Sequence, residues 1–176
     1  EAIELAAEAK ADEVGREVDV DFALGEILTR SGRWREALDA LASAQEPGPY
    51  RVQALILVAR CRRGLGDLDG ARAAWTLVLE SGQARQAARL ALAEIAETSG
   101  LYADAAEHYG DVLRNAPLSR AVVQPWAAAL RLARALPAAR ASLERLAATT
   151  AEASPAFWLS AIEAEAGRLD AALARA

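Results

Sequence analysis

A pattern that recurs every 34 residues is the feature that most limits how this chain folds. In "SGRWREAL" (31–38), a glycine is followed two residues later by a large apolar side chain and five residues later by alanine. The arrangement returns in "LGDLDGAR" and "SGLYADAA", and the closing alanines are Ala37, Ala71 and Ala105, each 34 positions after the last. A fixed spacing of this length indicates stacked copies of one supersecondary unit.

Two further copies depart from the pattern. One more spacing of 34 leads to Ala139 in "ARALPAAR" (133–140), where Arg134 stands in place of the glycine. The final copy, "AGRLDAAL" (166–173), closes at Ala172, one residue short of the expected spacing. The repeat therefore extends along the whole chain with a single one-residue deletion.

Each period holds two segments with the apolar spacing of an amphipathic helix. In the third period, Leu92 and Ala96 recur on one helical face of the first segment, and Tyr102, Ala105 and Tyr109 recur on one face of the second. Alanine, leucine and arginine are frequent, and these residues favour helices. A glycine suited to a left-handed turn separates the segments, and turn residues such as proline follow the second. Each period is predicted to be an antiparallel helix hairpin, in an all-α chain.

This unit resembles the tetratricopeptide repeat (TPR). That family places a leucine–glycine or small pair in the first helix, glycine before the turn, a large residue two later, alanine three after that and an aromatic residue four further on. The first copy supplies Gly25, Gly32, Trp34, Ala37 and Leu41. The matching positions of the next two copies are Ala59, Gly66, Leu68, Ala71 and Trp75, then Ala93, Gly100, Tyr102, Ala105 and Tyr109. The resemblance implies a right-handed superhelical solenoid of antiparallel helix hairpins.

The repeat positions predict one continuous array. Residues 1–16 are expected to form a helix of a preceding or capping repeat. Repeats 1 to 4 are expected at residues 18–51, 52–85, 86–119 and 120–152. Residues 153–176 are expected to hold a partial repeat 5, with its turn at Gly167 and a second helix that breaks off in "LDAALARA". No polar capping element ends the array, so we interpret it as a piece of a longer one.

Charge and composition narrow the classes of partner. The formal net charge is -5, from 20 basic and 25 acidic residues, and the mixed charges do not predict nucleic-acid binding. Lys10 is the only lysine; a chain rich in alanine and arginine is typical of a GC-rich genome, and on this we interpret the source as bacterial. No stretch approaches the roughly 18 apolar residues of a membrane-spanning helix. One cysteine fits either the cytoplasm or the periplasm, and an upstream signal or anchor is left open.

The sequence offers little chemistry for catalysis. The single histidine, His108, has no identifiable partner and is interpreted as a surface or groove-rim residue. Cys61 has arginine neighbours, a setting that suits a reactive thiol, but a small packing residue in a helix is the favoured interpretation. "LGDLDG" (65–70) resembles a calcium loop only superficially, and no common nucleotide, zinc or redox motif occurs. We therefore expect no catalytic residue, no metal, no cofactor and no enzyme activity.

The family resemblance implies that ligands lie on a concave side lined by the first helix of each hairpin. A largely apolar row is expected there at Phe22, Ile56, Leu90, Gln124 and Phe157. The next rows are Glu26, Arg60, Glu94, Ala128 and Ala161, then Thr29, Arg63, Glu97, Arg131 and Ala164. Apolar positions beside alternating charges suit a protein or peptide segment with apolar anchors. The alternative is that part of the apolar row only packs between neighbouring first helices.

These features predict a non-catalytic protein–protein interaction scaffold that binds a protein or peptide segment in its concave groove. One alternative is a substrate- or partner-docking region of a larger enzyme, or of a secretion or polysaccharide-export assembly. Another is self-association, because open ends of an array can stack between molecules. The repeats that clamp the carboxylate of chaperone tails need lysine and asparagine where Phe22 and Glu26 stand, which argues against that subtype.

Overall fold

A computed structural model describes residues 17–117, 119–149 and 154–173. Within these ranges it contains helices and no strand. Helix α1 includes residues 17–30. The others are α2 (Trp34–Ala40), a 3-10 helix (Ser43–Gln45), α3 (Arg51–Gly64), α4 (Leu68–Glu80), α5 (Arg85–Thr98), α6 (Tyr102–Leu113), α7 (Arg120–Leu132), α8 (Leu136–Thr149) and α9 (Ser154–Leu173). Among the described helices, none is both long enough and apolar enough to span a membrane.

The chain divides into two compact units, Glu1–Arg85 and Gln86–Ala176. In the first unit, α3 packs against both α2 and α4. In the second unit, α7 packs against α6, α8 and α9, and α8 also packs against α9. Consecutive helices packing in pairs confirm the predicted all-α fold of helix hairpins.

One turn geometry closes four of the hairpins. In each, a backbone N–H donates to the carbonyl five residues earlier, which satisfies a free carbonyl at the end of the first helix. The four bonds are Arg33 to Leu28, Asp67 to Arg62, Leu101 to Ala96 and Ala135 to Leu130. The residue before each donor has positive φ: 73° at Gly32, 79° at Gly66, 74° at Gly100 and 58° at Arg134. The repeat therefore imposes the left-handed conformation even on Arg134.

Small residues allow the helices of a hairpin to approach closely. Ala59, Ala93 and Ala127, at the position that the repeat pattern reserves for a small side chain, are fully buried. At the matching position in α1, a Cβ built on Gly25 would lie 2.5 Å from Cγ of Leu41. Nothing larger than glycine fits there without moving the fully buried Leu41.

The second helix of the first hairpin also packs on the following helix. Leu28 of α1, Ala37 of α2 and Cys61 of α3 form one buried cluster, and Trp34 packs against it. A single α2 helix thus joins α1 to α3 through apolar contacts. In the second unit a larger cluster connects α5, α6, α7, α8 and α9, with Tyr109 and Leu113 among its buried members.

The predicted turn at Gly167 is wrong, because α9 continues through it from Ser154 to Leu173. One glycine costs a helix only about 1 kcal/mol relative to alanine. The residues around Gly167 are strong helix formers, among them Ala166, Arg168 and Leu169, so the helix does not break. The helix predicted for residues 1–16 lies outside the described residues.

Candidate functional site

The predicted groove residues of α3 lie between buried neighbours. Ile56 is half-buried and Arg60 is exposed, whereas Leu55 and Leu57 on either side of Ile56 are buried. Arg63, one turn after Arg60, is exposed as well. Because side chains three or four apart share one helical face, these three residues form a single accessible edge of α3.

Phe22 on α1 is held by an aromatic neighbour. Its ring stacks on Tyr50, with ring centroids 4.7 Å apart and an angle of 17° between the planes. Tyr50 in turn hydrogen bonds Asp19, which raises the pKa of the Tyr50 hydroxyl. Both aromatic rings remain half-buried, so Phe22 is fixed in place while part of its ring stays accessible.

Thr29 does not face solvent as the third predicted row requires; it is buried. Its hydroxyl lies 2.8 Å from the Gly25 carbonyl oxygen, to which it donates, and 3.2 Å from Cys61 Sγ. The hydroxyl contact joins α1 to α3, which places Thr29 between the two helices. The expectation that Thr29 faces the groove is therefore wrong.

Two residues of the second predicted groove row, Glu26 and Arg60, lie in the first unit, and their interactions differ. Glu26 is half-buried and binds Arg30 one turn later, with an N–O distance of 2.6 Å. Arg60 forms no hydrogen bond or ion pair with any residue of the described ranges. Guanidinium donors that no described residue occupies can bind a carboxylate.

Three residues of the predicted apolar row lie in the second unit, and they differ in exposure. Leu90 and Phe157 are half-buried and pack against the core cluster of that unit. Gln124, at the matching position of α7, is exposed. For Leu90 and Phe157 this packing favours the alternative in which part of the row stabilises the fold.

Glu97 and Glu94 on α5 are half-buried. The Tyr109 hydroxyl of α6 donates to a Glu97 carboxylate oxygen over 2.9 Å. Burial, and then the hydrogen bond to Glu97, raise the pKa of Tyr109. Glu97 thereby links the two helices of its hairpin, besides occupying a predicted groove position.

Arg131 forms an ion pair that was not predicted from the sequence. Its Nε lies 2.8 Å from Oε2 of Glu165 on α9, and Glu165 is buried. Arg168 binds the other carboxylate oxygen of Glu165. In the repeat register the position equivalent to Arg131 is Ala164, so Glu165 lies one residue beyond it on α9, and the spacing did not single out this contact.

His108 belongs to a charged cluster between α5 and α6. Its Nδ1 lies 3.1 Å from an Arg89 nitrogen, and Arg89 also binds Asp111 at 2.9 Å. Burial and the Arg89 charge lower the pKa of His108, although nearby carboxylates oppose this. The histidine is half-buried, and its contact with Arg89 joins the two helices of one hairpin.

Other candidates have local structural roles. Cys61 is fully buried, in keeping with its interpretation as a packing residue. Asp67 of "LGDLDG" caps α4, where its carboxylate accepts a 2.8 Å hydrogen bond from the Gly70 N–H. Within the described part of the chain, no group of three or more His, Cys, Asp and Glu side chains could hold a metal ion.

Comparisons with known proteins place the fold. No protein-family model matches the sequence, and no curated protein matches it. Two solved structures are similar: crystal structures of what is described as a kinesin light chain from Podosopora anserina with nearly identical TPR-like repeats, one of them a variant with a single substitution. Both are 16% identical over 89% of this chain, with a TM-score of 0.55, and 89% and 90% of those chains are covered. The chain therefore has the fold of TPR-like repeat proteins.

Proposed function

We propose that this protein is a non-catalytic interaction scaffold that binds a peptide segment of another protein across α1 and α3. Two observations support this proposal: Phe22 and Ile56 are partly accessible, and Arg60, one turn after Ile56, forms no hydrogen bond or ion pair with any described residue. Phe22 and Ile56 are 34 residues apart, so they occupy matching positions on neighbouring first helices. We call these three residues the α1/α3 surface.

The chemistry of the α1/α3 surface suggests the kind of peptide. Phe22 and Ile56 can bury an apolar side chain, and a fixed aromatic ring loses little entropy when it does so. Arg60 can bind a carboxylate with two parallel hydrogen bonds. The ligand is therefore a segment with an apolar anchor and an acidic residue close to it.

Selection from a random peptide library displayed on phage tests this proposal. The wild-type chain is expected to enrich peptides that combine an apolar residue with Asp or Glu. Phe22→Ala with Ile56→Ala is expected to weaken their binding about tenfold or more, since each exposed anchor contributes roughly 1 kcal/mol. Arg60→Glu is expected to shift the selected peptides from acidic to basic.

Leu77→Ala is the matched control, because Leu77 is an exposed leucine on α4, a second helix. It is expected to leave peptide binding unchanged. Circular dichroism and urea unfolding establish that each variant is folded. Peptides that bind equally well to the wild type, to the Phe22/Ile56 variant and to Arg60→Glu would show that the α1/α3 surface is not the binding site.

A further inference from the structure

Helices α1 and α3 run side by side in the same direction. The Phe22 ring of α1 stacks on Tyr50, the residue before α3, with ring centroids 4.7 Å apart. Later along both helices, the Thr29 hydroxyl of α1 lies 3.2 Å from Sγ of Cys61. Because the two contacts occur in the same order along both helices, matching positions are separated by about one interhelix distance, roughly 8–10 Å.

Two pairs of matching residues lie on the accessible faces of α1 and α3. Phe22 and Ile56 are an apolar pair, and both are half-buried. Glu26 and Arg60 follow them by one turn and are a pair of opposite charge, again 34 residues apart. Side chains four residues apart share one helical face. A ligand that crosses both helices therefore meets an apolar side chain and a charge on each, and the sign of the charge changes between them.

Both charges of this second pair are open to a ligand. Arg60 forms no hydrogen bond or ion pair with any described residue. Glu26 pairs with Arg30, whose side chain is 76% exposed. An ion pair so open to solvent is weak, so a basic group of a ligand can take the place of Arg30.

We propose that the ligand of the α1/α3 surface is an extended segment with two apolar residues about three positions apart, each beside one of two opposite charges. This inference rests on the proposed function and adds the spacing and charge pattern of the ligand. An extended chain advances about 3.1–3.4 Å per residue, so three residues cover the distance between matching positions. The basic residue pairs with Glu26, and the acidic residue pairs with Arg60.

The distribution of apolar positions favours an extended ligand over a helical one. A helix rises about 1.5 Å per residue and needs about seven residues to cover the same distance. A helical ligand is held by apolar anchors at i, i+3, i+4 and i+7. The α1/α3 surface has one apolar position on each helix, and the residue one turn later is charged in both cases. This arrangement matches two anchors of an extended chain.

A series of short synthetic peptides measures the spacing. Each peptide has two leucines, one followed by lysine and the other by glutamate, in an uncharged polar background. The leucines are two, three, four or seven positions apart, and fluorescence anisotropy gives the affinity for the full chain. The peptide with a spacing of three is expected to bind tightest, about tenfold tighter than the peptide with a spacing of seven, because only one anchor of the latter is in place.

Charge reversal tests the pairing. At a leucine spacing of three, the wild type is expected to prefer the lysine–glutamate peptide about tenfold over peptides with two lysines or two glutamates. Glu26→Arg is expected to prefer two glutamates, and Arg60→Glu is expected to prefer two lysines. The double variant Glu26→Arg, Arg60→Glu is expected to prefer the lysine–glutamate peptide again. Its net charge equals that of the wild type, so long-range attraction does not explain this recovery.

Glu80→Arg is the matched control, because Glu80 is an exposed acid at the end of α4, a second helix. It makes the same charge reversal as Glu26→Arg and is expected to leave the preference of the wild type unchanged. Circular dichroism and urea unfolding establish that each variant is folded.

The outcomes separate this inference from the proposed function. Peptides whose binding depends on Phe22 and Ile56 but not on their charges would overturn the charge pattern and leave the proposed function standing. Tightest binding at a spacing of seven would overturn the extended ligand in favour of a helical one. A double variant that does not regain the lysine–glutamate preference would show that Glu26 and Arg60 do not act together. Binding that no longer depends on Phe22 and Ile56, or no binding of any peptide, would contradict both proposals.

Discussion

The indole ring of Trp34 lies directly against Gly64. A Cβ built on Gly64 would be 2.6 Å from Cε2 of Trp34, well inside the closest contact that carbon atoms tolerate. The large residue of "SGRWREAL" thus reaches past its own hairpin to the last residue of α3. The ring of Trp34 therefore links the first and second hairpins by packing on the backbone of Gly64, which has no side chain.

Gly64→Ala is expected to destabilise the protein by about 1–3 kcal/mol, because the rigid ring of Trp34 has to move. This cost exceeds the gain in helix propensity of about 1 kcal/mol at most. Urea unfolding measures it. Gly167→Ala is the control: apart from its chain neighbours and the nearby backbone of α9, no described residue comes within 4 Å of a Cβ there, so the variant is expected to gain stability. A Gly64→Ala variant more stable than the wild type would contradict the Trp34 contact.

Arg134→Gly is expected to stabilise the protein by about 1 kcal/mol. Arg134 has a φ of 58°, which costs a residue with a Cβ roughly 1–2 kcal/mol, part of which glycine loses again through its unfolded-state entropy. The reciprocal change, Gly100→Arg, is expected to destabilise by a similar amount, since its φ is 74° and no steric contact opposes a Cβ. Thermal unfolding of both variants checks the pair. Changes of the same sign would show that turn strain is not the cause.

Arg131→Met is expected to cost about 1–3 kcal/mol of stability, because it removes one of two cations that bind the buried carboxylate of Glu165. Methionine retains much of the apolar stem, so packing changes little. The control is Arg140→Met, which breaks the exposed pairs with Glu144 and Glu163 and is expected to change stability by less than about 0.5 kcal/mol. Denaturant unfolding with equal losses in the two variants would show that the burial of Glu165 does not matter.

His108 is expected to make stability depend on pH. Its pKa in the folded state is lowered from the ordinary 6.5 by burial and by Arg89, so the unfolded chain binds this proton first. The stabilisation is complete above about pH 6.5 and is lost as the pH falls through the unfolded and then the folded pKa.

Urea unfolding of the wild type and His108→Gln, at about pH 7.5 and about pH 5.5, measures this loss. Comparing the two proteins cancels the carboxylates that titrate in both. The wild type is expected to lose more stability than the variant on acidification. An equal loss in both, or a larger one in the variant, would refute the assignment to His108.

The hairpins were predictable because the same sequence motif recurs several times at a fixed spacing. Gly32, Gly66 and Gly100 each mark a left-handed turn, and the spacing alone predicted a turn at Arg134. The prediction failed where a turn was inferred from a single glycine. Gly167 resembles the turn glycines, but a lone glycine among strong helix formers does not stop α9.

The candidate site was harder to predict than the fold. Periodicity gives the face on which a side chain lies, but whether that face meets water depends on neighbouring helices. Thr29 shares a helical face with the half-buried Phe22 and Glu26, and yet it is itself buried, with its hydroxyl against Cys61. Likewise, Arg131 has a charge that suits a surface, and only the neighbouring α9 reveals its buried partner Glu165.

The contact between Thr29 and Cys61 also makes the Cys61 thiol a probe of helix opening. Cys61 is its single cysteine, and the thiol is enclosed between α1 and α3. A thiol reagent can react only during the moments when these two helices separate. The labelling rate of the unaltered protein therefore reports how often the first two hairpins part, and a peptide bound across them would slow it.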